Sequence, residues 1–389
     1  MNEQKTNIVI LGGGFAGRGA AEILAKSIRK ERQLVEITLI DRHSYTTMLP
    51  ALPDVAGTRI PPGYLTEEVV DLISADIKFL QASVRHVDLT RQVVTMDRQK
   101  IGYDYLIIAT GSTAEFFGFD QNLDSVYKLA SLEDAERIGR EFPDYLRRAE
   151  NPTAVVAGGG YTGLELACNL RYAAHKFGGG CDIAVVELAD QILPNMSTTI
   201  RAYIEKRCAE RNINLLTGRS VSKFDGTDIE LSDGTVLKDA FLCWSTGTKF
   251  ELPVEGEQES LKDGRIIVDS TLQIPQYPGV FAAGDAAAMN FGGGYLRKAV
   301  NFSLYSGQHA ARNISRLLDG RAASPFKPID LGWVIPFCNA GAGKMFSRFT
   351  VKGRFPLALH YFMCGYRNYN TANRLHFLKM ALAALRCRD

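Results

Sequence analysis

The sequence is short of the features that would place it in several large classes. None of its seven cysteines (Cys168, Cys181, Cys208, Cys243, Cys338, Cys364 and Cys387) stands in a CxxC or CxxxxC pair. That excludes a local redox dithiol and a cysteine cage for zinc or iron–sulfur; reduced thiols in a cytoplasmic protein are the expectation. No apolar run approaches the ~20 residues that span a bilayer, so any membrane contact is expected to be peripheral. The opening apolar run, residues 7–11, is too short and too soon broken by glycine to read as a signal peptide. Acid is nearly missing from one end: residues 331–389 hold nine basic residues and one acid, Asp389. With 45 basic and 43 acidic residues in all, the first 330 keep 36 and 42. A mildly acidic body thus carries a basic tail, which points to an anionic partner.

At 389 residues, 46% hydrophobic and 23% charged, the chain is long enough for two or three domains and too apolar to be disordered. NIVIL (7–11) reads as a strand, 18–29 as a helix, and EITLI (36–40) as a strand ending at Asp41. Residues 43–63, rich in Pro and Gly, read as irregular, and YDYLIIAT (103–110) as a strand closed by Gly111. After Pro152 the pattern restarts. TAVVA is a strand, 161–177 a helix, and DIAVV (182–186) a strand ending at Glu187; FLCWSTG (241–247) then echoes YLIIATG. Apolar strands alternating with helices predict an α/β fold with parallel sheets covered on both faces.

Each half carries a glycine loop between strand and helix, GGGFAG (12–17) and GGGYTG (158–163). From Gly17 to Asp41 is 24 positions, and from Gly163 to Glu187 is also 24, so one module is used twice. Gly12 or Gly158 allows the tight turn, and Gly14 or Gly160 lets backbone N–H groups approach a pyrophosphate. Gly17 or Gly163 lets helix and strand pack closely. The helix start adds partial positive charge for the phosphates. Asp41 and Glu187 are expected to accept hydrogen bonds from an adenosine ribose, and the Glu187 carboxylate repels a 2′-phosphate, favouring NADH over NADPH. Two loops predict two dinucleotides.

With ATG (109–111) and the phrase VFAAGDAA that starts at Val280, these motifs resemble flavoproteins with two Rossmann-like dinucleotide-binding domains and the pyridine nucleotide-disulfide oxidoreductase-like fold. The resemblance implies FAD on the first loop, held by Gly12, Gly14, Phe15, Ala16, Gly17, Asp41, Arg42, Ala109, Thr110, Gly111, Gly284, Asp285 and Ala299. It implies NADH on the second, held by Gly158, Gly160, Tyr161, Thr162, Gly163, Glu187 and Gly247. Asp285 would bond the ribityl chain, and a helix starting near Lys298 to Asn301 would aim its positive end at the flavin. The implied domains are an FAD domain of 1–117 and 273–340, an NADH domain inserted at 118–272, and a C-terminal membrane-association or dimerisation segment, 341–389.

Three phrases, YDYLIIATGSTAEFFG (103–118), GGGYTGLELA (158–167) and FLCWSTG, resemble type II NADH:quinone oxidoreductases. That family implies a single-subunit respiratory-chain enzyme without proton pumping, peripheral on the cytoplasmic face of the membrane. It implies Glu165 beside nicotinamide and flavin, orienting the dihydropyridine or moving a proton. The alternative for Glu165 is a first-turn acid favoured by the helix dipole. Where the family has an AQxAxQ-like phrase lining the quinone, this chain has LRKAVNFSLYSGQHAARNI (296–314), with Asn301 and Tyr305 in the glutamine positions. Lys298 either adds charge near the flavin or is a solvated residue.

In the tail, Leu375, Leu378, Leu382 and Leu385 recur at helical spacing between basic residues. Such a helix suits an anionic bilayer, or docks on the body or on a homodimer partner. Nucleic acid is not expected, because the basic residues sit among large apolar ones. Nor is a metal. Competing readings keep NADH and FAD but use a soluble ferredoxin-like acceptor, or a redox-signalling role like that of apoptosis-inducing factor. Sulfide:quinone oxidoreductases share the architecture but need reactive cysteines in N-terminal stretches that have none here.

Overall fold

A computed structural model of the chain describes residues 5–28, 34–256, 261–262, 264–346 and 348–386. Arg29, at the end of the first expected helix, and Cys387, Arg388 and Asp389 of the tail lie outside them. The chain opens with β1 (Thr6–Leu11), α1 (Phe15–Ile28), β2 (Val35–Asp41) and the short α2 (Leu52–Ala56). There follow β3 (Ile77–Gln81), β4 (Tyr105–Ile108), β5 (Tyr127–Lys128), α3 (Leu132–Arg148), β6 (Thr153–Ala157) and α4 (Tyr161–Lys176). Next come β7 (Asp182–Glu187), β8 (Ile213–Thr217), β9 (Ala240–Trp244), β10 (Val280–Ala282) and α5 (Val300–Leu318). The chain ends with β11 (Gly332–Phe337), β12 (Ala340–Met345), β13 (Phe349–Gly353), α6 (Arg354–Arg367) and α7 (Thr371–Arg386). The first helix begins three residues before the expected Arg18, because the last turn of the glycine loop is already helical.

The chain divides into two compact units, one of residues 1–46, 67–113 and 248–330, the other of 47–66, 114–247 and 331–389. This division departs from the boundaries expected at 272/273 and 340/341, for physical reasons. Phe250, Ile266, Val268 and Leu272 bury their side chains in the core of the first unit. The 332–337 strand pairs along its length with β12, so it goes with the C-terminal elements.

The first unit holds a five-stranded parallel sheet in the order β10–β4–β1–β2–β3. Ile8, Val9, Ile10 and Leu11 are all sealed from solvent, as strands covered on both faces must be. Helix α5 presses on α1 so closely that a Cβ at Gly307 would fall on the Ala16 carbonyl.

The second unit repeats the plan, a parallel sheet in the order β5–β9–β6–β7–β8. Its α3 is started by a capping box: the Ser131 hydroxyl accepts from the Asp134 N–H, and the Asp134 carboxylate accepts from the Ser131 N–H. Strands β11, β12 and β13 form an antiparallel sheet, followed by the α6–α7 hairpin. On α7 the buried stripe is Asn373, Phe377, Ala381 and Ala384. The leucine stripe at 375, 378, 382 and 385 faces outward. No helix of the described residues is long and apolar enough to cross a membrane.

Candidate active site

The two glycine loops have the same geometry. Gly12 takes φ +98° and Gly158 φ +109°, a region closed to residues with a Cβ. A Cβ at Gly12 would lie 2.4 Å from the Ala109 carbonyl oxygen, and one at Gly158 2.3 Å from that of Ser245. A Cβ at Gly17 or Gly163 would overlap the carbonyl of Gly12 or Gly158. At Gly14 and Gly160, by contrast, nothing stands within 4 Å. That open space beside an uncovered helix start is the cradle a pyrophosphate requires, and the residues present fit a dinucleotide in both loops.

Asp41 and Glu187, expected on riboses, also hold their own loops. Asp41 accepts from the Gly13 N–H at 2.6 Å and the His43 N–H at 2.8 Å. Glu187 accepts from the Gly159 N–H at 2.7 Å and the Ala189 N–H at 2.9 Å. Each carboxylate oxygen has a second lone pair left for a ligand hydroxyl. Phe15 and Ala16 open α1, and the Arg42 Nε donates to His43. Ala109, Thr110 and Gly111 follow β4. Tyr161 and Thr162 open α4, with the Tyr161 ring edge-on to Trp333 at 5.3 Å. The Gly247 carbonyl, after β9, accepts from the Glu115 N–H at 2.9 Å.

In the first unit the Gly284–Asp285 turn is stapled to α5. The Gly284 N–H donates to the Ser306 hydroxyl at 2.9 Å, and the Ser303 hydroxyl donates to Asp285 at 3.0 Å. Ala299 is the residue before the helix and offers no side-chain cap. Burial raises the Asp285 carboxyl, against the opposing pull of Lys298, and burial lowers the Lys298 ammonium. Lys298 is anchored rather than solvated, donating to the Thr248 carbonyl at 3.0 Å and to its hydroxyl. Asn301 is buried, and its amide donates to the Ile329 carbonyl at 3.0 Å. One of its two N–H donors is therefore committed to the chain, while Tyr305, one turn on, is half-buried.

Glu165 is not a solvent-facing first-turn acid. It is buried in the second unit, and its Oε1 has no hydrogen-bond partner. Burial pushes its carboxyl well up, the Asp54 charge adds to this, and Arg59 opposes it. Asp54 is itself pushed up to about 6 by burial, against Arg59 and the Tyr361 hydroxyl, which donates to it at 2.9 Å. Asp54, Tyr361 and the nearby His360 were not foreseen. Their one local signal is polarity inside apolar runs, LPALPDVA and PLALHYF.

The expectation of reduced thiols fails for two cysteines. Cys168 on α4 and Cys338 between β11 and β12 form a disulfide, with Cα atoms 5.2 Å apart. Cys181, Cys208, Cys243 and Cys364 are free and buried.

Repeated glycine loops on twin parallel sheets give the chain two cradles of the shape that a dinucleotide fits. The chain belongs to the pyridine nucleotide-disulphide oxidoreductase family, which it matches over residues 6–310. It is 25% identical over 369 residues to a type II NADH:quinone oxidoreductase of Staphylococcus haemolyticus, across 88% of this chain and 89% of that protein. Among solved structures, NDH2 from Plasmodium falciparum in complex with NADH has a TM-score of 0.83 at 16% identity, covering 98% of each chain. The sulfide:quinone oxidoreductase of Aquifex aeolicus has a TM-score of 0.79 at 18% identity, covering 97% of this chain and 94% of that one. At such identities the two structures establish the shared fold.

Proposed function

We propose that the chain is an FAD-dependent NADH dehydrogenase that takes a hydride from NADH and passes two electrons to a membrane quinone. The observation that carries this reading is the pair of equivalent glycine loops, each with open space at its middle glycine and a strand-end acid fixing it. It is supported by the likeness to a type II NADH:quinone oxidoreductase along nearly the full length of both chains.

In this reading the first unit holds FAD and the second NADH. The bound flavin supplies the two-electron chemistry, accepting hydride and releasing electrons to an acceptor. The protein's part is position and charge. The Gly12–Gly17 and Gly158–Gly163 loops offer backbone N–H groups to the two pyrophosphates. Glu187 selects NADH by repelling a 2′-phosphate. The uncapped start of α5 turns its partial positive charge, reinforced by Lys298, toward negative charge developing on the cofactor. Burial pushes the Glu165 carboxyl well up, which suits it to hold or give a proton where no cation stands beside it.

The quinone is met near Asn301 and Tyr305, where the Tyr305 hydroxyl and the second N–H of Asn301, whose first goes to Ile329, are the donors on offer. Membrane contact falls to the outward leucines of α7, with Phe355, Phe362 and Tyr366 of α6 and the basic Lys379 and Arg386. An apolar stripe with cationic flanks is what an anionic interface retains.

The test is anaerobic. Flavin reduced by NADH is mixed with a quinone analogue, and the return of oxidised-flavin absorbance is followed. Prompt reoxidation, faster with anionic vesicles, is expected. A flavin that stays reduced with every quinone, yet is oxidised by a ferredoxin-like protein, would replace the quinone with a soluble acceptor.

A further inference from the structure

Three buried side chains of the second unit, from three separate elements, meet at one point. Asp54 on α2, Glu165 on α4 and His360 on α6 each offer a ligand atom within 4.8 Å of the other two. The residues are 2%, 9% and 7% exposed. The group is short of donors. Tyr361 serves one oxygen of Asp54, but Asp54 Oδ2 and Glu165 Oε1 are shielded from solvent without a hydrogen-bond partner. Asn169 Oδ1, one turn further along α4, is another buried acceptor in the same condition. Arg59 is the cation that acts on both carboxylates, and its guanidinium is stacked on the Tyr172 ring at 4.1 Å. One guanidinium against two carboxylates leaves the group short of positive charge where water cannot supply it. Such a deficit is unfavourable until a proton or a cation fills it.

We propose that Asp54, Glu165 and His360 form a binding site for a divalent transition-metal cation of the Zn²⁺ or Mn²⁺ kind. Two carboxylate oxygens and one imidazole are a borderline-hard donor set that such ions accept, with a further position open to water or another ligand. Burial holds the His360 imidazole neutral, with its pKa down at about 4, which is the form that ligates. The Cys364 sulfur, 3.8 Å from His360 Nε2, is kept as a thiol by burial, so it adds no soft thiolate that would select copper(I). The ion would tie α6 to α2 and α4 and hold Glu165 as a carboxylate. The site stands independently of the quinone reading, because it is defined by orphaned acceptors and not by redox chemistry.

The flavin-loaded protein is treated with a chelator, dialysed against zinc chloride, and compared with Asp54→Asn and His360→Gln by elemental analysis. The wild type is expected to retain a single equivalent more zinc than either variant, and both variants to bind about tenfold more weakly or worse. Flavin absorbance and circular dichroism establish that the variants are folded. Zinc K-edge X-ray absorption on the wild type needs no variant, and is expected to show an oxygen/nitrogen shell with imidazole scattering. Zinc uptake equal in all three proteins, or none in the wild type, overturns the proposal and leaves a proton shared between the two carboxyls. A sulfur shell overturns it by placing the ion on cysteine.

Discussion

The two glycine loops are nearly superimposable in their local chemistry, yet the helices that leave them are used differently. Two positions after the last glycine, α1 has Gly19 and α4 has Glu165. A Cβ at Gly19 would meet Leu304 of α5 at 2.8 Å, so that position exists to let another helix approach. At the same position of α4 the side chain is a buried carboxylate aimed at Asp54 and His360. The second helix is further tied down by the Cys168–Cys338 disulfide, one turn beyond Glu165. The loop fixes what a module can bind, and the next turn of helix fixes what it can do. One fold copied twice diverges in the elements packed over it, α5 over α1 and α2 over α4, rather than in the cradle itself.

The most severe way to break the comparison is to fill the last glycine of each loop. Gly17→Ala and Gly163→Ala would drive a methyl into backbone carbonyls that have no room to retreat. Each is expected to cost beyond about 4 kcal/mol locally, in the extreme tail of single substitutions. Under the proposed assignment, Gly17→Ala purifies without flavin, whereas Gly163→Ala keeps its flavin and is no longer reduced by NADH. Absorbance at purification and the rate of bleaching by NADH separate the two. Flavin lost from both variants would reverse the division of labour.

The disulfide sharpens the comparison next, since α1 has no equivalent tie. Cys168→Ser, or reduction of the wild type, is expected to lower stability by about 2–4 kcal/mol, in line with cross-links that close long loops. Limited proteolysis should then open the second unit first. Equal susceptibility of both units would mean that the cross-link does not stabilise α4.

How far the sequence carried this picture depends on distance along the chain. Strand, glycine loop, helix and strand-end acid occupy about 35 consecutive residues, and local periodicity is enough to find such a unit. The partners of Glu165 were illegible for the opposite reason. Asp54 and Tyr361 are 307 positions apart and meet only after folding, as do Cys168 and Cys338 across 170. Asn301 was singled out from a motif position, but its amide donates to the Ile329 carbonyl, a backbone contact that no motif encodes. The compact units break at 247/248 and not at 272/273, and local sequence carries no information about which core Phe250 and Ile266 enter.

A smaller effect is expected where the two acids differ. Glu187→Gln keeps an oxygen for the Gly159 N–H but loses the charge and the bond from the Ala189 N–H, so the loop should loosen without collapsing. The discrimination between NADH and NADPH should fall by about tenfold, or ~1.4 kcal/mol. Asp41→Asn, the matching change in the first unit, should leave that ratio untouched. Steady-state kinetics with both nucleotides read it directly, and a ratio that moves with Asp41 would place the nucleotide on the wrong unit.

The smallest expected effect on the fold is the most specific for function. With nothing within 4 Å of Gly14 or Gly160, an added methyl meets no protein atom, and neither glycine has the positive φ of Gly12 and Gly158. Gly14→Ala and Gly160→Ala should therefore melt within about 0.5 kcal/mol of the wild type when free of ligand. A methyl in that space stands where a pyrophosphate must approach the backbone. Gly14→Ala should then weaken flavin retention alone, and Gly160→Ala should raise the KM for NADH with kcat little changed, the mark of lost ground-state binding. A fall in the ligand-free melting temperature would make these glycines structural, and the open space above them would no longer count as a cradle.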